Sequence, residues 1–236
     1  VQLTWRQEEA KSLGKSERFQ EFRGVLTESV IEITGYWRRR PEPEIRGDQD
    51  NGDIEVVVTD FTILNECTLL PFPVATQKGT QETNELTRLT YRYLELRRSS
   101  LQRNIRFRSA FTYVLRRQLI ENHDFTEIET PTLFRSTPEG AREFLVPTRT
   151  KDKYYALPQS PQQYKQLLMA AGFERYFQVA RCYRDEHGRS DRQPEFTQLD
   201  IEASFITEEG IFSLIEKLLN HALAEVPPPI FAEVKE

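Results

Sequence analysis

The sequence is poor in the residues that staple a fold together. Two cysteines in 236 residues, Cys67 and Cys182, exclude a disulfide scaffold. Cys182 falls inside a predicted strand and Cys67 just after another, so the two read as reduced thiols rather than as a bridge. The three histidines, His123, His187 and His221, have no metal-ligand spacing. There is no long apolar run and the mean hydropathy is −0.62, which excludes a membrane-spanning helix. Positive charge is in deficit as well: 32 Lys and Arg stand against 37 Asp and Glu, for a net charge of −5. A nucleic-acid partner must therefore be met by local patches. Met169 is the only methionine. The chain opens at Val1 in what reads as a strand rather than a targeting segment, and it is expected to be a fragment or processed piece of a longer protein.

What the chain does have is 38% hydrophobic and 29% charged residues, enough for one large domain or a domain and a half. Its most informative stretch is RCYRDEHGRSDRQPEFTQLDIE, residues 181–202. YFQVARCY (176–183) is aromatic and β-branched, which favours a strand. EHGRSDRQP (186–194) is a charged turn with Gly and Pro. EFTQLDIEASF (195–205) alternates, with Leu199, Ile201, Ala203 and Phe205 on one face and Phe196, Gln198, Asp200, Glu202 and Ser204 on the other. If the two polar faces coincide, one side of a hairpin carries Arg184, Gln178, Gln198, Asp200, Glu202 and a lone aromatic, Phe196. Such a face suits a nucleotide. Arg184 can grip a phosphate with its planar fork, Phe196 can stack on a purine, and Glu186 can accept from an exocyclic amine. Arg189 and Arg192 can reach outer phosphates. A charged hairpin with a solvated face is the plain alternative.

A second stretch, YYALPQSPQQYKQLLMAAGFERYF (154–177), predicts a helix capped by Ser160 with Pro161 at its first position and Gly172 at its end. Gln162 and Lys165 are three apart and share a face. Elsewhere, VQLTW (1–5), ESVIEITGYWRRRP (28–41) and IEVVVTDFTILNEC (54–67) read as strands, and QEEAKSLGKSERFQEFR (7–23) as one helical segment. Arg38, Arg39 and Arg40 form a basic cluster that either faces RNA phosphate or is a solvated strand end. SLQRNIRFRSAFTYVLRRQLIENHDF (100–125) predicts a long helix capped by Ser100, followed by a strand over 126–134 broken by Pro131. ITEEGIFSLIEKLLNHALAEV (206–226) predicts an amphipathic helix capped by Thr207, with Ile211, Leu214, Ile215, Leu218 and Leu219 inward.

The order R-D-E, basic loop, R-Q-P-E-F-T-Q-L-D-I-E resembles motif 2 of the class II aminoacyl-tRNA synthetases, in detail the aspartyl branch of bacterial and mitochondrial type. The QSPQxxKQLL run matches the same branch. The resemblance implies an α+β fold: a partial OB-fold β-barrel for anticodon binding (1–76), a hinge (77–99), and the front part of a class II antiparallel-sheet catalytic domain (100–236). It implies that Glu139, Ser160, Gln162 and Lys165 bind L-aspartate, with Lys165 reading its β-carboxylate. It implies ATP on Arg184, Asp185, Glu186, Gln193 and Phe196, with Arg184 also catalytic through the α-phosphate, and Mg²⁺ between the phosphates but no metal ligand in this chain. Helix, strand and Pro131 resemble motif 1, which implies a homodimer with Pro131 near its interface. The implied activity is aspartate–tRNA ligation to tRNA-Asp, with a mitochondrial or bacterial location and the mitochondrial matrix favoured. Motif 3 is not found in the sequence. The 236 residues alone are therefore expected to be inactive, and a non-catalytic binding module derived from a synthetase is the alternative.

Overall fold

A computed structural model describes residues 2–47, 51–74, 83–137, 140–186, 188–189 and 192–226. The chain divides into two compact units, Val1–Arg98 and Ser99–Glu236. Together they mix helices with small sheets, an α+β architecture.

In the first unit, β1 (Gln2–Thr4) runs parallel to β3 (Ile54–Asn65), and β2 (Val30–Arg39) pairs antiparallel on the other side of β3, giving the order β1-β3-β2. The stretch predicted as one helix is two, α1 (Gln7–Ser12) and α2 (Ser16–Gly24). Gly14 breaks it at φ +68, a left-handed conformation that glycine tolerates without a Cβ penalty. Trp5 is the hub of this core, meeting Phe19, Phe22 and Phe61 edge to face at 5.9, 5.4 and 6.1 Å. Ile31 and Ile33 of β2 pack against the same cluster. At the register shift between Thr34 and Gly35, a Cβ on Gly35 would stand 2.2 Å from the Val57 carbonyl oxygen, so only glycine fits there.

The basic cluster Arg38–Arg40 is not one patch. The Arg38 Nε donates to the buried Glu55 carboxylate at 2.6 Å, and Thr4 Oγ1 donates to the same carboxylate at 2.7 Å. Those bonds lower the Glu55 pKa, that from Thr4 most. Arg40 is buried and donates to the carbonyls of Glu44 and Gly52. Arg39 alone faces outward. Later in the same unit come α3 (Glu85–Thr90) and α4 (Arg92–Glu95), pinned by the buried Glu95, which pairs with Arg88 and Arg92.

The second unit begins with α5 (Ser99–His123), so Ser100 lies inside the helix and is not its cap. The predicted 126–134 strand shrinks to β4 (Thr126–Glu127), parallel to β7 (Arg175–Tyr183). Beyond it Ile128 N still donates to Phe177 O, and the ladder stops there, short of Pro131. β5 (Leu145–Pro147) and β6 (Tyr154–Ala156) form a separate hairpin. α6 (Gln162–Ala170) comes next, and β8 (Glu195–Ala203) pairs antiparallel with β7 along its whole length. α7 (Glu208–Glu225) closes the unit, capped as predicted by Thr207, whose Oγ1 accepts from Gly210 N.

The core lies under β7 and β8. Phe177, Leu199, Ile201 and Ala203 face Val114, Leu115 and Leu119 of α5 and Leu214, Leu218 and Ala222 of α7. Two expected core residues are elsewhere. Leu219 is turned toward solvent, and Phe205 is two residues past the end of β8, at φ +55 and 95% exposed. Phe177→Ala should therefore cost about 3–5 kcal/mol, since its ring is fully buried. Phe205→Ala should change stability by no more than about 0.5 kcal/mol. Urea midpoints of the two variants check the contrast.

Candidate active site

The register of β7 and β8 decides what the hairpin can do. Tyr176 stands opposite Glu202, Gln178 opposite Asp200, Ala180 opposite Gln198 and Cys182 opposite Phe196. The two polar faces therefore coincide, away from the α5/α7 core. The face is tied together internally. Gln178 Oε1 accepts from Tyr176 Oη at 2.8 Å and from Thr130 Oγ1 at 2.9 Å. The Tyr176 phenol is raised well above its ordinary pKa, first by burial and then by the charge of Asp200. Cys182 is fully buried, with its Sγ 3.2 Å from Gln198 Oε1, and it forms no disulfide with Cys67.

Lys165 comes down onto this face from α6. Its Nζ donates to Asp200 Oδ1 at 2.9 Å and lies 3.2 Å from Glu202 Oε2. Only 9% of the residue is exposed. Burial alone would lower its pKa, but the two carboxylates more than reverse that and leave it raised. The ammonium form is the one the fold favours, so its contribution is complete below the ordinary value of 10.5 and fades as pH rises through the higher folded value. Asp200 Oδ2 is buried with no hydrogen-bond partner among the described residues. α6 begins at Gln162, with Pro161 and not Ser160 at its N-cap position and no side-chain cap. Ser160 lines a small separate pocket with Thr137, Glu143 and Tyr164. Gln162 is half-buried at the first position of the helix.

At the other end of the hairpin, Arg184, Asp185, Glu186, Gln193 and Phe196 all line one open cleft of about 710 Å³, with Phe144, Gly188, Arg192 and Pro194. Arg184 N donates to Pro194 O, which carries the ladder one step past β7. The Arg184 guanidinium lies over the Phe196 ring, 5.1 Å from its centroid, and so covers the aromatic face on which a base would stack. Glu186 pairs with Arg192 at 3.0 Å. Sequence reasoning missed Phe144, which lines this cleft, and Arg142, which lies against the cleft residue Asp185. Arg142 accepts Asp185 N on its carbonyl at 2.9 Å and brings its Nε to 3.3 Å from the Asp185 carboxylate. Their only signal was proximity to Glu139, which lies outside the described residues. Pro131 is exposed in the irregular segment after β4.

Residues 84–233 match the family model for class II tRNA synthetases (D, K and N). The chain belongs to that family. Among curated class II relatives, the aspartate–tRNA(Asp/Asn) ligase of Corynebacterium efficiens is 54% identical over 197 residues, which is 83% of this chain and 33% of that protein. The mitochondrial aspartate–tRNA ligase of Dictyostelium discoideum is 53% identical over 193 residues, 82% of this chain and 28% of that protein. The human mitochondrial aspartate–tRNA ligase is 50% identical over 203 residues, 86% of this chain and 31% of that protein. The chain thus spans about a third of the length of these class II relatives, which come from bacteria and from mitochondria. Two solved synthetases show the same fold. A putative aspartyl-tRNA synthetase of Leishmania major has a TM-score of 0.76 at 24% identity, over 89% of this chain and 41% of its own. The asparaginyl-tRNA synthetase of Pyrococcus horikoshii has 0.78 at 20%, over 100% and 50%.

The Lys165 cation holds two carboxylates side by side. Lys165→Met should destabilise the second unit by about 1–3 kcal/mol, because it leaves two half-buried carboxylates side by side without their shared cation. Neutralising the pair as well, with Asp200→Asn and Glu202→Gln, should recover most of that loss. Denaturant melts of the three combinations measure both values.

Proposed function

We propose that the chain carries the amino-acid-reading and motif 2 portion of an aspartate–tRNA ligase. The whole protein would activate L-aspartate with ATP and pass it to the 3′ end of tRNA-Asp. The observation that carries the reading is Lys165, buried on the polar face of the hairpin whose far end is the Arg184–Phe196 cleft. Relatives about 50% identical that are named aspartate–tRNA ligases support it.

The chemistry rests on charge. Aspartate brings one ammonium and two carboxylates. The site offers Asp200 and Glu202 for the ammonium, and Lys165 and Arg184 for the carboxylates. The aspartate α-carboxylate oxygen attacks the ATP α-phosphorus. A new O–P bond forms as the bond to pyrophosphate breaks. No protein nucleophile is needed, only alignment and neutralised charge. Arg184 serves the α-phosphate, and its departure from the Phe196 ring frees that face for adenine. Glu186, Asp185 and Gln193 border the base and phosphates. Ser160, Gln162 and Glu139 are proposed on the aspartate side. Among the described residues no three His, Cys, Asp or Glu side chains converge to hold a metal. Mg²⁺ enters the proposal as the companion of ATP. A twofold homodimer with Pro131 near its seam belongs to the same proposal. The motif 2 residues stand together in the cleft, so nothing in it favours a binding module that has lost activity.

The test is aspartate-dependent ATP–pyrophosphate exchange by the full-length protein. The expected result is exchange with aspartate and none with asparagine. Lys165→Ala should raise the aspartate KM tens to thousands-fold, the ~2–5 kcal/mol of a lost charged partner. Exchange driven equally by asparagine, or an unchanged aspartate KM in the variant, contradicts the reading.

A further inference from the structure

Immediately before Ser160, between the aspartate side and the nucleotide cleft, sits a buried carboxamide that neither site uses. Gln159 is 2% exposed. Its Oε1 accepts from Ala141 N at 3.0 Å, and its Nε2 donates to Ala141 O at 2.8 Å. A side-chain amide paired with both backbone groups of one residue forms a closed two-bond ring, the same exchange that a β-ladder makes. The ring also settles the amide orientation, since the flipped form would set N–H against N–H and oxygen against oxygen. A further bond from Gln159 reaches the Glu143 carboxylate.

Glu143 fastens the same loop from within. It accepts from Ser136 Oγ at 2.5 Å, Thr137 N at 2.8 Å and Thr137 Oγ1 at 3.1 Å. Burial would raise its pKa, and these bonds overcome burial and lower it. The backbone from Ala141 to Glu143 is therefore held at two points. That backbone in turn places the rim of the cleft. Arg142 sits against Asp185, and Phe144 stands in the cleft wall with its carbonyl bonded to Leu157 N.

We propose that Gln159 is a positioning residue for the nucleotide cleft, fixing Ala141 so that Arg142 and Phe144 border the site of the ATP phosphates and base. It touches no substrate and acts through the backbone it holds. The inference rests on the ATP reading above for its function, but the clamp itself rests on geometry alone.

Two readouts on the full-length protein test it: hydrogen exchange of residues 140–144, and steady-state kinetics of pyrophosphate exchange. Gln159→Met keeps the volume and removes the two bonds to Ala141 together with the one to Glu143. It should speed exchange at 140–144 at least tenfold and raise the ATP KM about tenfold, with the preference for aspartate over asparagine unchanged. Gln159→Asn keeps a neutral amide but shortens its reach by one methylene, so it weakens the ring without setting a charge beside Glu143. It should fall between wild type and Gln159→Met, and it supplies the test should Gln159→Met not fold. Unchanged exchange at 140–144 in the variant tested overturns the clamp. Faster exchange with an unchanged ATP KM overturns the positioning role. A wild-type protein without ATP-dependent activity overturns the ATP reading instead, and the exchange data still decide the clamp.

Discussion

The second unit depends on the pairing of Arg175–Tyr183 with Glu195–Ala203 in one particular register. Side chains alternate across a strand, so a slip by one residue would send Leu199, Ile201 and Ala203 into solvent and drive Asp200 and Glu202 against the α5/α7 core. Burial of Phe177 with those three residues holds the register, and the polar face is its consequence. Core packing and site chemistry are thus two faces of a single ladder. A mutation that weakens the first also disturbs the second.

The polar face has charge placed at its two ends. At one end, Lys165 and the pair Asp200 and Glu202 form a buried cluster whose attraction outweighs desolvation. At the other, Arg184 rests on Phe196 in an open cleft where solvent screens it. The half-buried Arg184 guanidinium is proposed to leave its aromatic ring for a phosphate.

Much of this was legible in the sequence because it rests on period. The alternation in 195–205 gave both faces of β8, and the polar residues of 176–184 gave their counterpart on β7. The Thr207 cap was legible from its side chain, since a threonine ahead of a helix offers an oxygen to an orphan N–H. Boundaries set by backbone chemistry were not. Only two residues of a nine-residue strand formed, Gly14 split one helix into two, and α6 started after Pro161 and not at Ser160. Arg38 and Arg40 looked like a patch because their partners, Glu55 and the Glu44 and Gly52 carbonyls, lie across a turn. The least legible feature is Gln159, whose partner is a peptide group and leaves no residue pattern to find. Lys165 was singled out as an aspartate reader. Its present partners sit 35 residues on, in Asp200, and just beyond in Glu202.

Lys165 is proposed as a charged group held between two carboxylates and open to a third. An NMR titration of its ε-ammonium, with and without L-aspartate, tests this directly. The expected result is titration above the ordinary 10.5 of lysine in the free protein, and a shift of the Lys165 signal on adding aspartate but not asparagine. A Lys165 that titrates below that value, or whose signal ignores aspartate, would contradict it.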